Sequence, residues 1–344
     1  MLFSFNNIIL SVLIGGDTIK LIINTPGTYI SKSGTRFKLK NGENVQEIPA
    51  KKVEQILITC PSSISTEAIS LAVEENIDLV LLKMNGKPVG RFWHSKHGSI
   101  STIRKKQLLL SENELGLTLV KEWISKKIEN QTDFLKIIAM NRRDERRDLI
   151  NESILKMDER KNKLNSLTFE QNIDEIRNTI QGYEGYSSRL YFEMISKSLP
   201  EKYQFNKRSR NPAEDYFNCM LNYGYGILYS QIERSCIISG LDPYIGILHV
   251  DNYNRKAFTF DLIEKYRIYI DKIIFKMFST KKIKDNFFEE IEGGFYLAKD
   301  GKQALISEYN LLIESKEKYR GKNMEIQNII QLECHNIANR ILNG

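Results

Sequence analysis

The sequence has 344 residues, of which 41% are hydrophobic and 27% are charged. These values are ordinary for a soluble globular chain, exclude collagen-like and disordered proteins, and leave room for two domains. The formal net charge of +7 is compatible with a polyanionic partner, but equally with a basic protein that has none.

Residues 1–17 form an apolar leader, whose most apolar run, 8–14, is too short to span a bilayer. No Lys or Arg precedes this run and no small-residue cleavage site follows it, which disfavours a secretory signal. An extra strand, or a start codon read slightly early, explains the segment better. The sequence therefore predicts no membrane association.

From residue 18 to residue 93, short β-branched and apolar runs alternate with turn signals, which indicates a small β-rich domain. The Asn41-Gly42 pair is typical of a hairpin turn, because both residues tolerate positive φ angles. Ala68, Leu71 and Ala72 have helical spacing on one face. We expect strands at 18–24, 29–33, 36–40, 53–59, 78–82 and 88–93, and a helix at 66–75.

A polar, basic stretch at 94–102 is interpreted as a linker. After it, apolar residues recur every three or four positions over long segments, for example at 117–140 and 215–238. Residues 103–344 are therefore predicted to form a larger, all-α domain. The predicted fold class is α+β, a small β-rich N-terminal domain followed by a larger all-α domain.

Glu184 is the first candidate for chemistry in the helical part. It stands between Gly182 and Gly185, whose small size lets a backbone approach closely, and we expect a helix to begin there. Taken alone, a carboxylate in this position is typical of a helix N-terminal charge that the dipole favours.

Two further segments carry candidate ligands. His249 closes an apolar run just before the polar loop 251–254, which makes it the best-placed of the four histidines. A hydrogen-bonded core histidine is the ordinary alternative. Asp261 and Glu264 are three residues apart, so on a helix they share a face, and in isolation such a pair is typical of a solvated acidic surface.

Taken together, these segments offer carboxylates and one imidazole, a hard donor set that suits Mg²⁺ or Mn²⁺ better than structural zinc. Such an ion can polarise a phosphodiester and align an attacking oxygen. Spacing alone leaves open whether the segments meet.

Basic residues supply candidates for contacts with DNA phosphates. The arginines at 142–147 are interrupted by acids, which is typical of a solvated helix face. Lys207, Arg208 and Arg210 have no acid between them and are stronger candidates. Arg189, which follows Glu184, is included with them.

Other chemistries have no support in the sequence. It contains no phosphate-binding loop of the Walker type, no serine-hydrolase elbow and no zinc-protease motif. The four cysteines, which form no close-spaced pair, are expected to be reduced, mostly buried thiols of a cytoplasmic protein.

In their order along the chain, these motifs resemble the Cas1 family, the integrases of CRISPR adaptation. The resemblance runs from about Leu21 to the C-terminal region. Two departures are the apolar leader and Asn211-Pro212, which stands where paired prolines are common. The segments that carry the resemblance are 48–56, 62–66, 182–192, 208–225, 241–249, 261–267 and 293–297.

The resemblance implies a metal-dependent DNA endonuclease and integrase whose catalytic metal ligands are Glu184, His249 and Glu264, with Asp261 as an accessory carboxylate. It also implies homodimers, two of which are bridged by the small partner Cas2. The reaction implied is insertion of short double-stranded DNA into a CRISPR array, as a 3′-hydroxyl attacks a phosphodiester. Such an exchange needs no nucleotide fuel.

Three alternatives remain open from the sequence. A transposon-type integrase of the same superfamily would use the same site. A non-catalytic DNA-binding scaffold would need only the basic surface. A metal-dependent nuclease would cleave DNA without joining it.

Overall fold

The computed structural model describes residues 10–15, 18–75, 77–82, 88–92, 100–169, 172–210, 212–249, 256–280 and 282–343. The chain divides into two compact units, Met1–Gly98 and Ser99–Gly344. The predicted leader falls partly on β1 and partly outside the described residues. The predicted linker lies mostly outside them, but its last three residues already belong to a helix.

The first unit is rich in strands. In chain order it contains β1 (Leu10–Gly15), β2 (Thr18–Ile23), β3 (Tyr29–Ser33), β4 (Arg36–Asn41), β5 (Asn44–Pro49), β6 (Val53–Ile58), β7 (Ser63–Ile64), α1 (Thr66–Glu74), β8 (Asp78–Leu82) and β9 (Pro88–Phe92). The predicted strands, helix and hairpin turn are confirmed, and β1 is the extra strand of the leader. Strand β5, which completes the hairpin, and strand β7 were not predicted as strands.

Two sheets organise this unit. One has the order β1-β2-β6-β8-β9, with β2, β6 and β8 parallel and both outer strands antiparallel to their neighbours. The other has the order β5-β4-β3-β7. Helix α1 is capped by Ser65, whose side chain accepts a hydrogen bond from the amide of Ala68. Ala68, Leu71 and Ala72 are buried as predicted, in a core with Phe37.

The second unit is mostly helical. In chain order it contains α2 (Ile100–Leu108), α3 (Glu114–Met140), α4 (Arg146–Asn165), α5 (Ile173–Ser198), α6 (Tyr216–Ile238), α7 (Ala257–Ile263), α8 (Arg267–Ser279), β10 (Phe288–Ile291), β11 (Gly294–Leu297), α9 (Lys299–Ile313), β12 (Lys316–Tyr319), β13 (Lys322–Glu325) and α10 (Ile326–Asn343). The predicted α+β class is confirmed.

The all-α description of this unit needs one correction, because β10–β11 and β12–β13 are antiparallel hairpins. Their turns use positive φ angles, 81° at Gly293 and 82° at Gly321. Each strand is only four residues long, and three of the four carry charged residues. The alternation of apolar and polar residues that indicates a strand is therefore too short to be recognised in the sequence.

The core of the second unit joins side chains from most of its helices. Trp123 of α3, for example, meets Phe258 of α7 edge to face, with ring centroids 5.6 Å apart. Cys219, Cys236 and Cys334 are buried there, and all four cysteines are free. None of the described helices combines the length and the apolarity needed to cross a membrane.

Gly116, in the first turn of α3, provides a test of this packing. A Cβ added there would lie 1.7 Å from the carbonyl oxygen of Leu110. Since that neighbour is backbone, Gly116→Ala is expected to lower the free energy of unfolding by about 3 kcal/mol.

Gly226 in α6 is the matched control, because no described atom lies within 4 Å of an added Cβ. Gly226→Ala should raise the free energy of unfolding by about 0.5–1 kcal/mol, since alanine favours the helix. Urea unfolding of both variants measures the difference. Equal stabilities would contradict the close approach at Gly116.

Candidate metal and nucleic-acid site

Glu184 lies in the middle of α5, not at the start of a helix. The helix runs without interruption from Ile173 to Ser198 and is capped by Asn172. The expected helix start after Gly185 is therefore wrong, and so is the interpretation of Glu184 as an N-terminal charge. Two glycines cost a helix only about 2 kcal/mol together, which the buried face of α5 offsets.

Glu184 and Glu264 share one buried cation, the ammonium group of Lys127. Lys127 projects from α3 and is hydrogen-bonded to Oε1 of Glu184 and, at 2.5 Å, to Oε2 of Glu264. The other oxygen of Glu264 binds Arg267 at 2.7 Å. The side chains of Lys127 and Glu264 are each 7% exposed, whereas that of Glu184 is 25% exposed. One carboxylate of the pair therefore reaches solvent.

These contacts control the protonation of the cluster. Burial alone would raise the pKa of Glu184, but Lys127, Ser188 and Arg267 together lower that pKa from 4.5 to about 2. Ser188 contributes a hydrogen bond of 2.8 Å. Burial also opposes the charge on Lys127, yet the two glutamates raise the pKa of its ammonium group. Glu184 is therefore ionised and Lys127 protonated at neutral pH.

Asp261 fixes the loop that carries His249. Its Oδ2 accepts the backbone amides of Ile247 and Leu248 at 2.6 and 3.0 Å. Its Oδ1 accepts the amide of His249 at 3.0 Å and lies 2.6 Å from Nδ1 of the same residue. These four contacts use the acceptor capacity of the carboxylate. Asp261 is thus placed to orient the imidazole, with Nε2 left as the nitrogen that can bind a ligand.

The same loop is held against α5. Arg177 donates a hydrogen bond of 2.6 Å to the carbonyl oxygen of Leu248. Arg177 precedes Glu184 by seven residues, which is two helical turns, so the two side chains share one face of α5. On the other side, Asp261 precedes Glu264 by one turn. The loop of His249 is therefore attached to both elements that carry the glutamates.

The donor set suits a hard divalent ion in its chemistry. It consists of two carboxylates that already share a cation, and of an imidazole that a third carboxylate orients. The geometry is less complete. Among the described residues, no three His, Cys, Asp or Glu side chains lie close enough together to hold a metal ion. The structure unites Glu184 and Glu264 through Lys127 and leaves His249 on the adjoining loop.

A second buried network lies behind this cluster. Asp271 accepts hydrogen bonds from the hydroxyls of Tyr225 at 2.5 Å and Tyr191 at 3.1 Å. Burial raises the pKa of Asp271 from 3.8 to about 6, against the lowering effect of both tyrosines and Arg267. The guanidinium of Arg267 lies 4.9 Å from the centre of the Tyr225 ring, so it connects this network to Glu264.

Comparison with known proteins identifies the family. The family model for the CRISPR associated protein Cas1 matches residues 21–311. The chain belongs to the Cas1 family. A CRISPR-associated endonuclease Cas1 from Archaeoglobus fulgidus is 32% identical over 331 residues, which cover 93% of this chain and 95% of the relative.

Solved structures support the Cas1 fold. A Cas6-RT-Cas1–Cas2 complex contains a chain that is similar with a TM-score of 0.72 and 18% identity, over 96% of this chain and 36% of that one. A casposase bound to its integration product is similar with a TM-score of 0.64 and 21% identity, over 94% of this chain and 95% of the casposase. At these identities the likeness is one of fold.

The basic residues predicted to contact DNA fall into two groups in this Cas1 protein. Lys207 and Arg210 are exposed, and Arg189 is exposed beside the ring of Tyr186. Arg208 is instead directed inward. Its guanidinium donates to the amide oxygens of Asn218 at 2.9 Å and Asn222 at 2.6 Å.

Lys127 and Arg267 are the residues of the cluster to which the sequence analysis assigned no role. Lys127 has a detectable signal, because it follows Val120 and Ile124 on the apolar face of α3. A lysine on such a face needs a buried anion. Arg267 follows Glu264 by three residues, the spacing of an ion pair on a helix.

Proposed function

We propose that this Cas1 protein is a metal-dependent CRISPR adaptation integrase that inserts short double-stranded DNA into a CRISPR array. The observation that carries the proposal is the buried carboxylate pair, Glu184 and Glu264, beside an imidazole that Asp261 orients. The carboxylates suit a bound cation, and the exposed basic residues suit contacts with phosphates. Both fit a reaction on a polyanion such as DNA. The family and the fold agree with that chemistry.

In this proposal Glu184, Glu264 and His249 hold the metal, and Asp261 and Arg267 hold two of these ligands in place. Bound Mg²⁺ or Mn²⁺ would polarise the target phosphodiester and stabilise the charge that develops on its oxygens. The 3′-hydroxyl of the incoming DNA attacks the phosphorus and a 3′-oxygen of the target leaves, so one phosphodiester replaces another. The balanced exchange needs no ATP.

The partners proposed are double-stranded DNA, a second copy of this chain and Cas2. The similar chain in the Cas6-RT-Cas1–Cas2 complex is assembled with Cas2, and the similar casposase is bound to an integration product. Both support a chain that acts on DNA within an assembly.

A joining assay tests this proposal. The full chain, with and without Cas2, is incubated with a labelled short duplex, a supercoiled plasmid that carries a CRISPR array, and Mn²⁺, Mg²⁺ or EDTA. Label joined to the array in either metal and absent in EDTA is the expected result. Binding without any product would exclude an enzyme, and cleavage without joining in the presence of Cas2 would indicate a nuclease. Equal joining to a plasmid without an array would indicate a transposon-type integrase.

The direction of the basic side chains gives a separate prediction about DNA affinity. Lys207→Ala and Arg210→Ala should each weaken DNA binding with little dependence on sequence, and should reduce the slope of log affinity against log salt by about 1. Arg208→Ala should mainly lower stability, because it removes the group that donates to the amide oxygens of Asn218 and Asn222. Fluorescence anisotropy at several salt concentrations, with thermal unfolding, separates these effects. A loss of salt dependence confined to Arg208→Ala would reverse the assignment.

A further inference from the structure

Lys127 occupies the position between the two carboxylates to which a metal ion would be drawn. It lies near the middle of α3, is anchored by the buried face of that helix, and directs its ammonium group to both Glu184 and Glu264. Oε1 of Glu184 and Oε2 of Glu264 both contact this one nitrogen. The cluster therefore already contains a cation, and that cation belongs to the chain.

The oxygens in this cluster are heavily used. One oxygen of Glu264 contacts Lys127 and the other contacts Arg267. Oε1 of Glu184 accepts hydrogen bonds from both Lys127 and Ser188. A divalent ion that binds both glutamates would meet the oxygens now paired with the ammonium. Two cations on the same oxygens repel strongly where water is scarce. Lys127 and the metal are therefore expected to exclude one another.

We propose that Lys127 is a tethered competitor of the metal: it holds the carboxylate pair in the metal-free protein and is displaced when the divalent ion binds. This inference rests on the proposed function, because it assigns the metal to the same two glutamates. Its consequence is a weaker metal affinity than the ligands alone would give. The long, flexible side chain of lysine allows the displacement. Among the described side chains of the cluster, Glu184 is more exposed than Glu264, so an ion would enter on that side.

An ordinary buried salt bridge makes the opposite prediction for metal binding. If Lys127 only stabilised the fold, its removal would loosen the glutamates and leave metal affinity unchanged or reduced. If Lys127 competes with the metal, its removal strengthens metal binding even as it destabilises the metal-free protein. The sign of the change in affinity therefore separates the two roles.

The test measures Mn²⁺ binding by isothermal titration calorimetry on the full chain. Lys127→Met keeps an unbranched side chain, one atom shorter than lysine, and removes its charge. The matched control is Lys126→Met, at the next position of α3, where the lysine is 45% exposed and paired only with Glu129 among the ion pairs of the described residues. We expect Lys127→Met to bind Mn²⁺ about tenfold more tightly or better, and Lys126→Met to match the unchanged protein within about twofold.

Thermal unfolding with and without saturating Mn²⁺ is the second readout. The rise in Tm on adding Mn²⁺ should be larger for Lys127→Met than for the unchanged protein. A variant that folds only in the presence of Mn²⁺ would support the inference in the same way. If Lys127→Met does not fold in either condition, Lys127→Gln, which keeps a hydrogen-bond donor, is measured instead.

Two failures can be told apart. If the unchanged protein binds Mn²⁺ and the folded Lys127 variant binds it equally or more weakly, the competitor role is wrong and the metal site stands. If neither the unchanged protein nor the folded Lys127 variant binds Mn²⁺ at millimolar concentrations, the metal site and the competitor role both fall.

Discussion

Glu184→Gln is expected to abolish metal-dependent DNA joining, with a fall in rate of about a thousandfold or more. A metal ligand contributes several kcal/mol of transition-state stabilisation, and about 4 kcal/mol corresponds to that factor. Glutamine keeps the shape of the side chain but removes the charge that balances Lys127. Glu264→Gln and His249→Ala should have losses of similar size. The measurement is the rate of joining in the plasmid assay at saturating Mn²⁺.

Two checks make this result specific. His335→Ala removes an exposed histidine of α10 that contacts Gln331, and it should leave joining within about twofold of the unchanged protein. Thermal unfolding tells whether Glu184→Gln still folds, since this variant leaves Lys127 with one carboxylate. A folded Glu184→Gln protein that joins DNA within tenfold of the normal rate would remove Glu184 from the catalytic site.

Asp261→Asn should weaken both the fold and the site. Asparagine has one acceptor oxygen in place of two, and its amide group would face backbone N–H donors that it cannot satisfy. Since unsatisfied buried donors cost about 1–3 kcal/mol each, a loss of about 3 kcal/mol in the free energy of unfolding is expected. A neutral amide oxygen is also a weaker partner for the imidazole than a carboxylate, so Mn²⁺ affinity and joining should fall by about 10–100-fold.

Asp242→Asn is the matched control for Asp261→Asn. Asp242 precedes the same loop and accepts one backbone amide, that of Tyr244, at 3.0 Å. Its substitution should cost about 1 kcal/mol and leave Mn²⁺ affinity unchanged. Excess Mn²⁺ should partly restore joining to Asp261→Asn, because the three proposed ligands, Glu184, His249 and Glu264, remain. If the two variants lose equal stability and metal affinity, Asp261 has no special role in orienting His249.

The β-rich unit was predicted closely because the sequence signals for its strands and turns lie within the elements themselves. Alternating residues and turn pairs such as Asn41-Gly42 specify a strand or hairpin within a few positions. The hairpins of the helical unit lack this signal, since strands such as Lys322–Glu325 are short and charged. The α5 helix was misjudged at Gly182 and Gly185 because glycine usually marks a boundary, whereas here the buried face of a long helix outweighs two glycines.

The site depends on contacts that local sequence does not encode. Glu184 and Glu264 were identified from motifs and their order, but their shared partner, Lys127, is 57 and 137 residues away along the chain. Arg208 shows the same limit in another form. Its basic neighbours indicate a phosphate contact, while its direction toward Asn218 is fixed only by the packing of the loop against α6.

The four charges of the cluster that contains Lys127 also bear on when the protein can fold. Two carboxylates, Glu184 and Glu264, face two cations, Lys127 and Arg267, so their formal charges cancel before any metal arrives. Small zinc domains, by contrast, remain unfolded until metal neutralises their ligands. Because these charges are already paired, the helical unit is expected to fold without a divalent ion, so metal supply would govern the proposed activity rather than the amount of folded protein.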